Sequence, residues 1–288
     1  MKMVEDFNEY KILDTSNGMK LESWNGKELL RPDPQIIWEH KDYPEYWDKV
    51  DAVYNRSNKG GGSWDIKNKK LPESWQIHYH EMTFNIKLMG FKHTGLFPEQ
   101  AYNWNIIQDK IKEANREVKV LNLFAYTGGA SIAALSAGAS VVHVDSSRGM
   151  IDWAKENVKS SNLEDKPIRF LVDDVKKFVE REIRRGNKYD IVIMDPPSYG
   201  RGNNGEVWDI ENDLFKLVQN CTELLSDDPI LFLINSYTTG LSKTVLENIL
   251  SLTVNKKYKG TISSDEIGLP TNNKDIILPC GIYGRWEK

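Results

Sequence analysis

The chain has 288 residues, of which 40% are hydrophobic and 28% are charged, with a formal net charge of −4 and two cysteines. This composition supports a sizeable core and excludes wholesale disorder, a disulfide scaffold and a strongly basic nucleic-acid-binding protein. No run approaches the ~18 consecutive apolar residues that a membrane-spanning helix needs. Residues 1–10 are acidic and polar and lack the apolar stretch of a signal peptide. We therefore expect a cytoplasmic protein with no membrane partner, and the sequence leaves its oligomeric state open.

The first 75 residues differ from the rest of the chain. They carry turn signals such as Asn17-Gly18 and Asn25-Gly26 and short apolar runs at residues 10–13 and 28–30. They also hold five tryptophans, which are Trp24, Trp38, Trp47, Trp64 and Trp75. We predict a small β-rich appendage over residues 1–75, ending in a flexible stretch at about residues 55–70. We interpret the tryptophans as a hydrophobic mini-core, with stacking on unpaired bases as the alternative.

The next segment predicts a hairpin that leads into a helix. Residues 75–88 alternate weakly between apolar and polar, and the sequence GFKHTG follows at residues 90–95. Pro98 then opens a helical pattern that continues to about residue 117, because proline is well suited to the first turn of a helix.

From residue 118 onwards, apolar strand-like runs alternate with amphipathic helical patterns. The predicted strands are residues 118–124, 140–144, 168–172, 189–194, 230–234, 260–264 and 275–286. The predicted helices end near residues 137, 160, 185, 225 and 250. This alternation indicates an α/β fold, a doubly wound parallel sheet with helices on both faces, over residues 76–288.

Ligands of such a sheet bind outside the carboxyl ends of its strands. The first strand runs into LNLFAYTGG at residues 121–129, where glycines let the backbone approach a ligand at a helix N-terminus. Asp145 ends the second strand, where a carboxylate can accept both hydroxyls of a ribose. The third strand is followed by Asp173 and Asp174, which are placed to meet an adenine amino group. The sequence DPPS at residues 195–198 follows the fourth strand.

Each of these features alone also fits a tight turn or a helix cap. Four of them in order, at the spacing of consecutive strand–helix units, indicate a site for a nucleotide-like cofactor. A nicotinamide-dependent oxidoreductase shares the first two features. Its G-x-G-x-x-G fingerprint is missing from TGGA at residues 127–130, and the Asp-Pro-Pro element has no role in that fold.

The stretch LNLFAYTGG and the later DPP resemble class I S-adenosylmethionine-dependent methyltransferases. The likeness is closest to the subgroup that modifies bases of large-subunit (23S) ribosomal RNA. The sequence KHTGLFPEQ at residues 92–100 resembles that subgroup's H-K-T-G-x-x-x-D-Q segment, which lies beside the cofactor. The resemblance covers roughly residue 75 to the C-terminus. It implies a Rossmann-like seven-stranded methyltransferase sheet that binds S-adenosyl-L-methionine and needs no metal.

The resemblance also implies roles for individual residues. Those expected to bind the cofactor are Thr94, Gly95, Gln100, Asn122, Phe124, Tyr126, Thr127, Gly128, Asp145, Ser146, Asp173 and Asp174. Within this set Asp145 is expected on the ribose and either Asp173 or Asp174 on the adenine.

The acceptor side of the site is expected at residues 195–199. Asp195, Pro196 and Pro197 are implied to be catalytic, because a rigid Pro-Pro turn in related enzymes aims a backbone carbonyl and the Asp at the acceptor. Methyl transfer is an in-line displacement, so positioning does most of the work.

Two neighbouring features are expected to meet the substrate. Ser198 and Tyr199 are its predicted contacts, with Tyr199 receiving a base that has left its stack; an ordinary loop tyrosine is the alternative. Residues 200–205 are predicted to form a mobile lid, or else a plain loop.

The chain departs from the cytosine-5 members of that subgroup. Those enzymes attack the ring with a cysteine after strand 5, but INSYTTG at residues 234–240 has none. Cys221 and Cys280 fall in a helix pattern and in the last strand, and we expect both to be core thiols. We therefore expect methylation of a nucleobase nitrogen, such as guanine N7 or an exocyclic amine, in ribosomal RNA.

Two other functions stay open from the sequence. A methyltransferase for a small molecule or a protein is favoured by the acidic balance and by the lack of a recognisable RNA-binding domain in residues 1–75. A non-catalytic S-adenosylmethionine-binding scaffold is opposed by the intact Asp-Pro-Pro element.

We interpret two further clusters of residues as structural. His78 and His80 share a strand face but lack a third and a fourth metal ligand. One helix is rich in basic residues, which we interpret as a solvated face, with a phosphate grip as the alternative. Its basic residues are Lys176, Lys177, Arg181, Arg184, Arg185 and Lys188.

Overall fold

The computed structural model describes residues 1–4, 6–57, 61–202 and 204–288. Its contacts divide the chain into two compact units. One unit consists of Met1, Tyr102–Ile267 and Gly281–Lys288, and we call it the sheet unit. The other consists of Lys2–Ala101 and Gly268–Cys280, and we call it the N-terminal unit. None of the helices in the described ranges is long and apolar enough to cross a membrane.

The N-terminal unit is β-rich, as the sequence predicted. Its strands are β1 (Tyr10–Ser16), β2 (Met19–Trp24), β3 (Lys27–Pro32), β4 (Ala52–Arg56), β5 (Gly62–Ile66), β6 (Ser74–Tyr79) and β7 (Met82–Lys87). The first five form one sheet in chain order, and β6 and β7 form a separate hairpin. Asn17-Gly18 and Asn25-Gly26 close the first two hairpins with φ between 50° and 74°. Paired left-handed residues of this kind match the twist of the flanking strands.

Two of the five tryptophans lie in the core of the N-terminal unit. Trp24 is fully buried, and the Trp75 indole donates a hydrogen bond of 3.0 Å to the Trp24 carbonyl. Trp38 and Trp47 donate to Thr15 and Asp14. The interpretation as a hydrophobic mini-core is thus confirmed for Trp24 and Trp75.

Two sequence predictions concern the extent of this unit. The hairpin β6–β7 groups with β1–β5, and the Trp75 indole bonds to the Trp24 carbonyl. The division at residue 75 stays a prediction. The expected flexible stretch at residues 55–70 is wrong for β5, which pairs with β4 and packs Trp64 edge-on against Tyr54 at 5.4 Å. Residues 58–60 lie outside the described residues.

The sheet unit alternates strands and helices. The remaining strands of the chain are β8 (Lys119–Leu123), β9 (Ser140–Asp145), β10 (Ile168–Val172), β11 (Ile191–Met194), β12 (Tyr199–Arg201), β13 (Val207–Asp209), β14 (Leu231–Ser236), β15 (Thr261–Pro270) and β16 (Ile277–Glu287). Residues 268–270 of β15 and 277–280 of β16 are assigned to the N-terminal unit. The helices are α1 (Ala101–Ala114), α2 (Gly129–Ser136), α3 (Arg148–Ser160), α4 (Val175–Arg185), α5 (Ile210–Thr222), α6 (Lys243–Leu252) and α7 (Val254–Lys257). A three-residue 3-10 turn over Pro98–Gln100 precedes α1, so the predicted helix after Pro98 is confirmed.

Seven strands form the main sheet in the order β10-β9-β8-β11-β14-β16-β15. Strands β8 to β11 and β14 run parallel, but β14 and β16 pair antiparallel. The sheet is therefore mixed, not purely parallel as predicted. Only residues 271–276 separate β15 from β16, which is too short for the crossover that a parallel pair would need.

Both faces of the sheet are covered. In β11, Ile191 and Ile193 alternate with Val192 and Met194, and all four are at most 1% exposed. Val192 and Met194 belong to one core cluster with residues of α4, α5 and α6. Helices α2 and α3 pack against β8, β9 and β10. This agrees with the doubly wound fold that the sequence predicted.

A buried polar network joins β8 and β9 to α2. The Asn122 amide donates to the Ser131 hydroxyl at 2.9 Å, and that hydroxyl lies 2.9 Å from Nδ1 of His143. All three side chains are at most 3% exposed. Burial lowers the pKa of His143 to about 3, so the ring is neutral at pH 7 and Nδ1 can accept the Ser131 proton.

We predict that Ser131→Ala destabilises the chain. It leaves buried groups of Asn122 and His143 without their partner, which costs about 1–3 kcal/mol in the free energy of unfolding. Urea denaturation measures this difference. The exposed helical Ser251 provides the control, since Ser251→Ala removes no described hydrogen bond and is expected to unfold like the wild type. Equal midpoints for both variants would contradict the network.

Candidate active site at the carboxyl ends of the central strands

The chain folds back on itself at β8. It runs from β8 to β9 and β10 on one side, then returns to β11 and β14 on the other side. Such a reversal opens a crevice outside the carboxyl ends of β8 and β11, where ligands of doubly wound sheets bind. The parallel registers bring four predicted segments to this edge. They are residues 124–128, Asp145, residues 173–174 and residues 195–198.

The loop after β8 has an unusual backbone. Phe124 and Tyr126 each have a φ of 53°, and Gly128, the residue before α2, has a φ of 91°. The left-handed region costs a residue with a side chain roughly 1–2 kcal/mol, so the surrounding structure must hold these two aromatic residues in place. Strained backbone of this kind concentrates at ligand sites.

Hydrogen bonds from neighbouring elements hold that loop. The Ala125 N–H donates to the Val144 carbonyl at 3.0 Å. The Asn157 amide of α3 donates to the Thr127 carbonyl at 2.9 Å. Thr127 and Gly128 are buried, while Phe124 and Tyr126 are partly exposed. These hydrogen bonds hold the loop in its left-handed conformation.

Asp145 fixes two backbone segments at once. One carboxylate oxygen accepts the Tyr126 N–H at 2.9 Å, and the other accepts the Ser147 N–H at 2.8 Å. Burial raises the pKa of Asp145, and these two hydrogen bonds oppose the rise. Each oxygen keeps a lone pair for a further donor, so the side chain can still accept a sugar hydroxyl, as the sequence predicted.

The two aspartates after β10 both bind other groups of this chain. Asp173 forms an ion pair with Arg181 of α4, which the sequence analysis did not connect with the site. Asp174 caps α4 by accepting the Lys177 N–H at 2.9 Å. Which of the two carboxylates meets an adenine stays open. Ser146 is exposed beside Asp145.

The Asp-Pro-Pro turn after β11 is held by two side chains that the sequence did not reveal. The Trp208 indole donates to the Pro197 carbonyl at 2.7 Å, and its ring lies 4.9 Å from that of Phe124. The Ser198 hydroxyl lies 2.7 Å from the Thr238 hydroxyl, just beyond β14. Trp208 and Thr238 are far from residue 195 in sequence, so only the fold brings them together.

Strands β12 (Tyr199–Arg201) and β13 (Val207–Asp209) flank the segment that was predicted to be a lid or a plain loop. Strand β12 pairs antiparallel with β13. Lys176 donates to the Val207 carbonyl at 2.8 Å, and Lys177 forms an ion pair of 2.6 Å with Glu206. Tyr199 is 54% exposed at the start of β12. Asn203 lies outside the described residues, and a lid function for the segment stays a prediction.

The basic helix is largely neutralised by the chain itself. Its ion-paired members and their partners are Lys176 with Asp213, Lys177 with Glu206, Arg181 with Asp173, and Arg185 with Glu182. A structural role therefore explains more of these cations than a phosphate grip does.

Asn122, His78 and His80 bind other side chains of this chain, and the cofactor role of Asn122 stays a prediction. The Asn122 side chain donates into the buried network with Ser131, not into the loop of residues 124–128. His78 and His80 lie within 3.0 Å of Glu9 and Asp6. Within the described ranges, no group of three His, Cys, Asp or Glu side chains is arranged to hold a metal ion.

Three predicted cofactor residues belong to the N-terminal unit. Thr94 is fully buried, and its hydroxyl has no hydrogen-bond partner among the described residues. Gly95 has a φ of 100°, and Gln100 is 8% exposed. A buried hydroxyl without a partner is costly, and the cofactor role of Thr94 stays a prediction.

The fold and the strand-end residues define a cofactor-dependent enzyme of the doubly wound class. The model of the S-adenosylmethionine-dependent methyltransferase family matches residues 30–251, so the chain belongs to this family. The crystal structure of a SAM-dependent methyltransferase from Agrobacterium tumefaciens has a TM-score of 0.93 and 33% identity, and the match covers 99% of this chain and 92% of that one.

Curated relatives share part of their length with this chain. A ribosomal RNA large subunit methyltransferase K/L of Pseudoalteromonas atlantica is 32% identical over 172 residues, which is 59% of this chain and 23% of that protein. A ribosomal RNA large subunit methyltransferase K of Neisseria meningitidis is 29% identical over 187 residues, which is 64% of this chain and 51% of that protein. The chain therefore spans at most about half the length of these two relatives.

The residues at the strand ends fit the cofactor of this family. S-Adenosylmethionine carries ribose hydroxyls, an adenine and an amino acid group, and Asp145 supplies a carboxylate for the first of these. The strained loop at residues 124–128 precedes α2, where backbone N–H groups are available. The family membership and this donor set make S-adenosylmethionine the cofactor of the chain.

We predict that Asp145→Ala weakens the binding of S-adenosylhomocysteine about 10- to 100-fold, because it removes hydrogen bonds to a charged acceptor. In the wild type, binding should also weaken as the pH falls through the raised pKa of Asp145, since the protonated side chain accepts less well. Isothermal titration calorimetry across pH measures both effects. The exposed Asp152 of α3 gives the control variant Asp152→Ala. Wild-type affinity in Asp145→Ala would contradict this placement.

Proposed function

We propose that this chain transfers a methyl group from S-adenosylmethionine to a nucleobase nitrogen in large-subunit ribosomal RNA. The names of the partly matching relatives support the RNA substrate. The observation that carries the nitrogen acceptor is the chain's cysteine chemistry. A cytoplasmic location fits this substrate and stays a prediction.

Neither cysteine is fit to be a nucleophile. Cys221 lies on α5 and is fully buried, and burial raises its pKa. Burial also raises the pKa of Cys280 well above its usual value. Methylation of cytosine C5 needs a thiolate that attacks the ring, and the chain has no third cysteine. A base nitrogen has its own lone pair and needs no such adduct.

The Asp-Pro-Pro turn has the features of an acceptor clamp. Asp195 is partly buried at the end of β11, and Pro196 is buried beside it. The Pro197 carbonyl is already engaged by Trp208. The Asp195 carboxylate and the Pro196 carbonyl are the acceptors we assign to the incoming base. Two rings fix the backbone φ angles, so the orientation is set before the base arrives.

The division of work follows from this arrangement. When bound, S-adenosylmethionine supplies an electrophilic methyl group on a sulfonium. Asp145 and residues 124–128 hold and orient the cofactor. Asp195 and Pro196 orient the acceptor nitrogen in line with the methyl group. For an exocyclic amine, Asp195 accepts the proton that the methylated nitrogen releases, whereas methylation of guanine N7 releases none. Tyr199, exposed beside them, offers a face on which a flipped base can stack.

Transfer of a tritiated methyl group tests the proposal. The acceptors are total bacterial RNA, isolated ribosomal subunits, and an extract of proteins and metabolites. Label in RNA or in the large subunit supports the proposed function. Label only in the extract would contradict it and would assign the chain to a small molecule or a protein.

We predict that Asp195→Ala abolishes methyl transfer and leaves S-adenosylhomocysteine affinity close to that of the wild type. The reason is that Asp195 faces the acceptor, while Asp145 holds the cofactor. Single-turnover transfer and calorimetry separate the two effects. The exposed Asp227 supplies the control, and Asp227→Ala should behave like the wild type. Full turnover by Asp195→Ala would show that the acceptor site lies elsewhere.

A further inference from the structure

A loop of the N-terminal unit, residues 88–93, is fixed by side chains of its sheet, and we call it the clamped loop. Three successive carbonyls of this loop each accept a hydrogen bond. Tyr54 donates to Gly90 at 3.5 Å, Trp64 donates to Phe91 at 3.2 Å, and Arg31 donates to Lys92 at 2.9 Å. The donors come from β3, β4 and β5, so the sheet sets the shape of the loop.

The clamp holds apolar side chains in solvent. Phe91 is 62% exposed and Met89 is 40% exposed. A large aromatic side chain on an ordinary loop would turn inwards to bury its area. Here the hydrogen bond from the Trp64 indole to the Phe91 carbonyl holds the backbone of the residue that carries the ring. A fixed, exposed aromatic face is a ready surface for stacking.

Cations act on Lys92, the residue that follows Phe91. Burial and repulsion from Lys20, Arg56 and Arg31 lower the pKa of Lys92, and the Asp33 carboxylate opposes this shift. Glu22 neutralises Arg31 through bonds of 2.6 and 2.7 Å. The side chains of Lys92 and Arg56 have no hydrogen bond or ion pair within the part of the chain that the structure describes. These two cations are therefore available to an anion from outside.

We propose that the clamped loop and Arg56 bind a single-stranded segment of RNA, with one base stacked on Phe91 and the flanking phosphates on Lys92 and Arg56. This inference rests on the proposed function, because it assumes that the substrate is RNA. An aromatic face beside unpaired cations matches a strand in which flat bases alternate with phosphates. The surface supplies the RNA contact that the sequence of residues 1–75 did not reveal.

Fluorescence anisotropy with a labelled oligouridine tests this surface in the full chain. Phe91→Ala should weaken binding about tenfold, because base–aromatic stacking is lost, with no change in salt dependence. Lys92→Gln and Arg56→Gln should each reduce the slope of log affinity against log salt by about 0.7, measured between about 50 and 200 mM salt. The matched controls are Tyr46→Ala and Lys11→Gln, which change exposed residues of the same unit and should bind like the wild type.

Methyl transfer to RNA and binding of S-adenosylhomocysteine are measured on the same variants. Phe91→Ala and Arg56→Gln should keep wild-type affinity for S-adenosylhomocysteine. If the wild type methylates RNA and all variants bind RNA equally, the surface is refuted and the proposed function stands. If the wild type neither binds nor methylates RNA, the proposed function fails as well. If Lys92→Gln weakens the binding of S-adenosylhomocysteine and leaves the binding of RNA unchanged, the cations serve the cofactor and the inference is overturned.

Discussion

The Asp145 carboxylate is the constraint on which the site depends. It lies at the end of β9 and accepts one N–H from the loop after β8 and one from the start of the segment that leads into α3. A single side chain thus ties the loop after β8 to the end of β9 and supports a loop in which Phe124 and Tyr126 are strained. Burial raises its pKa, so the carboxylate is kept charged at a cost that its hydrogen bonds offset. The residue that holds this loop is also the one that we expect to bind the ribose.

The acceptor side is built by the same means from different parts of the chain. The Pro-Pro turn restricts the backbone, and Trp208 ties its last carbonyl to the hairpin of β12 and β13. Lys176 and Lys177 anchor that hairpin to α4, whose first turn is capped by Asp174. The expected cofactor side and the proposed acceptor side therefore share one framework. Methyl transfer depends on alignment, so we expect a framework that fixes both sides to do most of the catalytic work.

The strand and helix pattern from residue 118 onwards could be predicted because apolar runs at the strand period alternate with helical periods. The strand ends could be predicted too, since residues 121–129, Asp145 and the Asp-Pro-Pro turn are consecutive in sequence with their strands. The partners of these residues could not be predicted. Trp208 and Thr238 reach the turn only through the fold, and Arg181 reaches back to Asp173 from within α4. The alternation of strands and helices predicts only parallel strands. The mixed sheet follows from the β15–β16 connection, which is shorter than a parallel crossover requires. Strand β5 could not be predicted because its glycine-rich start does not indicate a strand. The contact of Trp64 with Tyr54 forms only when β4 and β5 pair.

The central claim is that a chain without a usable thiolate methylates a base nitrogen. The most direct measurement is nucleoside analysis of ribosomal RNA labelled by the purified chain, with chromatography and mass spectrometry of the digest. The account predicts that the label lies in a nucleoside methylated on a base nitrogen. Label in 5-methylcytidine or in a ribose-methylated nucleoside would contradict it, because the first needs a cysteine that the chain lacks and the second needs a hydroxyl acceptor instead of a base.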